Sequence, residues 1–196
     1  MVRRALTCAR AVLVAAIVGG ARPAYAHGLG GSGLLHPLTG LDHLVAMLAV
    51  GAWSAQLGGR AIVAVPAVFV GFMALGGGLG ILGLSLPWVD GAIAMSVVIL
   101  GCAIAAERRA PTLMAGAAIA GFGAYHGFAH GNEVTGTAGR ASYVAGFLVT
   151  TAGLHVIGAV AALLALESPR GAARLRWSGA MTALIGIWLL WCQRPR

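Results

Sequence analysis

From Leu38 to Cys192 the chain is almost continuously apolar, broken at intervals by short stretches that hold glycine, proline or arginine. An apolar run of roughly 20 residues matches, as a helix, the hydrocarbon thickness of a bilayer. Inside lipid the backbone must satisfy its own hydrogen bonds, which a helix does within one segment. Of the 196 residues only 9% are charged and 59% are hydrophobic, a balance that a water-soluble domain of this length does not normally have. The sequence therefore predicts an all-α, polytopic membrane protein whose first partner is the lipid bilayer.

The formal charge of +8 comes from thirteen basic residues, all arginine, against five acids. The arginines stand at the ends of the apolar runs rather than along one face, so they mark topology and no nucleic-acid partner is expected. Three scattered cysteines, Cys8, Cys102 and Cys192, make no disulfide framework.

The first residues, MVRRALTCAR, are basic. A ten-residue apolar run follows, and ARPAYA then supplies the small-x-small pattern of a signal peptidase site, so residues 1–26 read as a cleaved signal peptide. The mature chain, 27–196, begins at His27 and holds six expected spans. These run from Leu38 to Leu57, from about Ala61 to Leu84, from Gly91 to Ala106, from Thr112 to His130, from Ala141 to Leu166 and from Trp177 to Cys192. Pro66 and the run of glycines at 76–80 predict a kinked or closely packed second span. Trp88 suits a membrane interface, and residues 167–176 read as a basic loop.

Six spans after a cleaved signal place both ends of the mature chain outside the cytoplasm of a bacterial inner membrane. Arg60, Arg108, Arg109, Arg170, Arg174 and Arg176 then fall inside, and Arg140, Arg194 and Arg196 outside, in the direction of the positive-inside rule.

The first span opens on HPLTGLDH. Seven positions of a helix turn through about 700°, so His36 and His43 fall near one face with Asp42 a step away. Pro37 suits the first helical turn and leaves His36 at the mouth. Placing Asp42 and His43 within a span costs a few kcal/mol unless they are solvated, paired or bound. The fourth span closes on YHGFAHGNE, where His126, His130 and Glu133 share a stripe at spacings of four and three. Gly127 and Gly131 allow close backbone approach, and Asn132 is a candidate supporting oxygen.

His155 stands about four turns into the fifth span, one turn below Thr150 and Thr151, and reads as a deeper ligand on the same path. His27 would carry the new terminal amine, a further chelating pair joined to His36 by a glycine-rich tether.

Imidazole and carboxylate donors without a thiolate suit divalent nickel, cobalt, zinc or iron and disfavour Cu(I). The zinc-hydrolase pattern H-E-x-x-H is absent, since Glu133 follows both histidines, and no phosphate-binding loop is present. A haem site would need axial histidines paired deep within the bilayer, whereas four of these stand at helix ends. No enzyme activity and no permanently bound cofactor are expected.

These motifs resemble those of the HupE/UreJ family, hydrogenase and urease accessory membrane proteins regarded as nickel or cobalt permeases. The family pattern of a histidine, five residues and Asp-His matches His36, Asp42 and His43. The pattern Phe-His-Gly-x-Ala-His-Gly-x-Glu matches His126, His130 and Glu133, with Tyr125 in place of the phenylalanine. The resemblance implies Ni2+ or Co2+ as the transported ion and hydrogenase or urease maturation proteins as partners. It equally admits a membrane accessory protein that delivers nickel without translocating it.

Overall fold

A computed structural model of the chain describes residues 33–107, 110–134 and 140–193. The expected signal segment, His27, Arg108, Arg109, Arg194 and Arg196 lie outside the described residues. Those residues form seven helices and no strand: α1 (His36–Thr39), α2 (Leu41–Leu57), α3 (Ala61–Ile81), α4 (Val89–Ala105), α5 (Thr112–Glu133), α6 (Arg140–Leu166) and α7 (Pro169–Cys192). Of these, α3, α6 and α7 are long and apolar enough to cross a membrane, and α2 and α4 are shorter apolar helices of 17 residues.

Two boundaries differ from the sequence reading. The helix expected to run unbroken through His36 and His43 stops at Thr39, because Gly40 is extended (φ −90°, ψ 117°) and the helix restarts at Leu41. The expected basic loop before Trp177 is the first part of α7. Ser168 caps that helix, its Oγ accepting from the Gly171 N–H at 3.1 Å, and Pro169 occupies the first turn, where a missing N–H is harmless. Arg176 consequently sits on a helix, donating from Nε to the Ala105 carbonyl at 3.2 Å and lying 3.8 Å from the Glu107 carboxylate, which ties the ends of α4 and α7.

The helices pair most closely as α3 with α5, α4 with α7 and α2 with α6, and α2 touches every other helix. Its position explains its composition. Surrounded by protein, α2 buries Ala46, Met47, Val50 and Trp53 and has protein neighbours for the polar residues at its start. Small residues allow the close pairings: a Cβ on Gly51 would run into the His155 carbonyl, and one on Gly127 into the Met73 carbonyl. The opposite faces of α3, α6 and α7 present Val63, Leu75, Val156, Ile157, Leu184 and Ile187 to the outside. So much exposed apolar surface is the face a bilayer would cover.

Candidate metal centre

The site begins at the break before α2. Thr39 Oγ1 donates to the His36 carbonyl at 2.8 Å and closes the short α1. Nearby, Thr150 Oγ1 on α6 donates to the Leu34 carbonyl at 2.8 Å, holding the approach to His36 against α6. Gly40 then turns the chain, so His36 and His43 belong to different helices. Their rings are linked through the third imidazole, His130, which lies 4.7 Å from His36 and 4.4 Å from His43 between ring centroids.

Asp42 meets this group through His43. Its Oδ1 accepts from the His43 backbone N–H at 2.8 Å and lies 2.9 Å from His43 Nδ1. An ionised carboxylate only accepts, so Nδ1 carries a proton, and in the neutral imidazole Nε2 keeps its lone pair. That Nε2 is buried and has no hydrogen-bond partner among the described residues. A carboxylate that orients a metal-binding histidine from behind is a recurrent device, fixing both tautomer and ring direction.

On α5 the helical period brings His126, His130 and Glu133 onto one stripe, and the burial along it is graded. Glu133 at the end of the helix leaves 57% of its side chain exposed and meets His36, 21% exposed, with Oε2 2.9 Å from Nε2. One nitrogen each of His36 and His130 and a carboxylate oxygen of Glu133 lie within 4.8 Å of one another, close enough for small side-chain rotations to bring them onto one divalent ion. His130 is buried and stacks on Phe147 (centroids 5.0 Å apart, planes 29° apart). Neither of its ring nitrogens has a hydrogen-bond partner among the described residues.

Further in, His126 is fully buried, 4.8 Å from His43 between ring centroids, with Nε2 3.0 Å from Ser96 Oγ on α4. The Phe69 ring on α3 bridges inward, its centroid 5.5 Å from His126 and 5.1 Å from His155. His155 is buried with both ring nitrogens unpartnered among the described residues, as is the Thr151 hydroxyl one helical turn away.

The structure thus brings His36, His43, His126 and His130 into ring-to-ring succession with Glu133 at one end. Asp42 stands behind His43, and His155 is reached through Phe69. Asn132 is exposed. Ser96, Phe69 and Phe147 were not singled out in the sequence. A solitary hydroxyl in the run GAIAMSVVIL was a usable signal for Ser96, but the aromatic rings look like any other core residues until the helices are packed.

A family model described as HupE / UreJ protein matches residues 10–189. The chain is 44% identical to Protein HupE of Rhizobium leguminosarum bv. viciae over 159 residues, covering 81% of this chain and 83% of that protein. No solved structure matches.

Proposed function

The chain belongs to the HupE/UreJ family, and on that premise we propose that it is a membrane permease for divalent transition-metal ions, nickel or cobalt. The observation that carries this reading is the succession of imidazoles from a solvent-facing His36–Glu133 pair through half-buried His43 to buried His126 and His155, several with ring nitrogens that no group among the described residues meets. A buried polar atom without a partner costs about 1–3 kcal/mol. A row of them in an apolar core is retained where something transient, here a passing cation, becomes the partner.

In this reading residues 1–26 are removed, the remaining chain crosses the inner membrane six times, and the His36–Glu133 mouth opens on the external side. The metal is cargo, captured by imidazole and carboxylate donors that bind first-row divalent ions without the thiolate that would retain a soft one. Desolvation is spread over successive sites, so no single step strips the ion of all its oxygen and nitrogen partners. The chain performs no reaction of its own and supplies metal to hydrogenase or urease maturation proteins.

The test is uptake of radiolabelled nickel into vesicles reconstituted with this chain alone. Saturable uptake that cobalt competes away is the expected result. Tight binding without accumulation would overturn permeation in favour of a membrane protein that hands its metal to a partner.

A further inference from the structure

Ser96 is the one hydroxyl that reaches the row of histidines from α4. It is fully buried, with Oγ 2.6 Å from the Ile93 carbonyl and 3.0 Å from His126 Nε2. A serine hydroxyl has one proton and two lone pairs, and a carbonyl can only accept. The 2.6 Å contact therefore uses the Ser96 proton on Ile93, and the contact with His126 is a hydrogen bond only if Nε2–H donates to Oγ. A neutral imidazole has a single N–H, so His126 Nδ1 is left with its lone pair. The opposite assignment would turn the Ser96 proton to Nε2 and place the ring proton on Nδ1. That atom is buried without an acceptor among the described residues, and a stranded N–H is the costlier arrangement.

We infer that Ser96 is a positioning residue that holds His126 in the Nε2–H tautomer and so presents Nδ1, not Nε2, to the cation. The inference rests on the permease reading for the identity of what is presented to, and on hydrogen-bond geometry alone for the tautomer. Asp42 and Ser96 are then counterparts, one holding His43 by Nδ1 and exposing Nε2, the other holding His126 by Nε2 and exposing Nδ1. Adjacent rings fixed in opposite tautomers keep a defined donor atom on each, whereas a free imidazole could offer either nitrogen or a proton where the ion must bind.

The experiment uses the full chain in lipid nanodiscs at fixed neutral pH, 15N-labelled at histidine, with the His126 lines identified by their absence in His126→Gln. In the metal-free protein Nε2 should show the shift of a protonated ring nitrogen and Nδ1 that of a bare one. Zn2+, a diamagnetic probe, should move the Nδ1 line and leave Nε2 protonated. Ser96→Ala should give mixed tautomers at His126 and bind Zn2+ and Ni2+ about tenfold more weakly, the scale on which such supporting partners act. Ser96→Thr, which keeps the hydroxyl, should restore both.

A protonated Nδ1 in the metal-free wild type overturns the inference without reliance on any variant, as does a Ser96→Ala protein with unchanged ring spectrum and affinity. The tautomer found as expected, but with no histidine line responding to Zn2+ or Ni2+, would overturn the permease reading and the role of Ser96 within it, while the hydrogen-bond assignment stands.

Discussion

The two ends of the histidine row differ in how their polar atoms are satisfied. At the mouth, His36 and Glu133 bond each other across α1 and α5 at 2.9 Å, and both remain open to solvent. In the interior, His43 and His126 each give one nitrogen to a fixed protein partner and hold the other bare, and His155 has no partner for either among the described residues. Under the proposed permease function, the contrast separates capture from passage. A mouth whose donors can fall back on each other and on water releases an ion at little cost. An interior whose donors have no substitute partner gains by drawing the ion on.

The sharpest way to break this comparison is at His43. His43→Ala should reduce nickel uptake below detection while the protein still inserts and folds, checked by vesicle uptake beside circular dichroism. Asp42→Asn, which keeps an acceptor oxygen near Nδ1, should retain a residue of activity roughly 10–100-fold below wild type, as expected for a partner that orients rather than binds. Equal and complete loss in both would return Asp42 to the role of direct donor.

Acid should act next most strongly, since imidazole binds metal only when neutral and its ordinary pKa is about 6.5. Protonation removes the lone pair that binds the ion, so nickel uptake should fall from pH 7 towards pH 5. Uptake that rises over this range would show proton coupling outweighing the loss of donors.

A smaller, diagnostic pair contrasts Glu133→Gln with His155→Ala. The mouth change should raise the half-saturating nickel concentration several-fold and leave the maximal rate near wild type. The interior change should lower the maximal rate several-fold and leave half-saturation alone. Identical effects of the two on both quantities would erase the division between capture and passage.

Much of this arrangement was legible before any packing was known. Runs of apolar residues at helical length identify the helices, and spacings of four and three put His126, His130 and Glu133 on one stripe of α5 whatever surrounds it. Gly40 was not legible as a break, because a single glycine within an apolar run carries no periodic signal, and the continuous-helix argument for His36 and His43 failed there. Ser168-Pro169 is a helix start that the neighbouring arginines disguised as a loop. The bridging position of Phe69 and the contact of Ser96 with His126 depend on which helices lie side by side, which local sequence does not specify.

The close seams between helix pairs also divide the glycines by what they permit a protein engineer. Gly51 and Gly127 face a neighbouring backbone and have no room for a methyl group, whereas a Cβ on Gly71, Gly121 or Gly153 meets nothing within 4 Å. Alanine is favoured over glycine in a helix interior by roughly 0.5–1 kcal/mol. Gly71→Ala, Gly121→Ala and Gly153→Ala combined should therefore raise the unfolding temperature in detergent by several degrees with nickel uptake unchanged, while Gly51→Ala alone should lower it. Heat resistance could thus be built into the outward-facing surface of the helices without touching the histidine row.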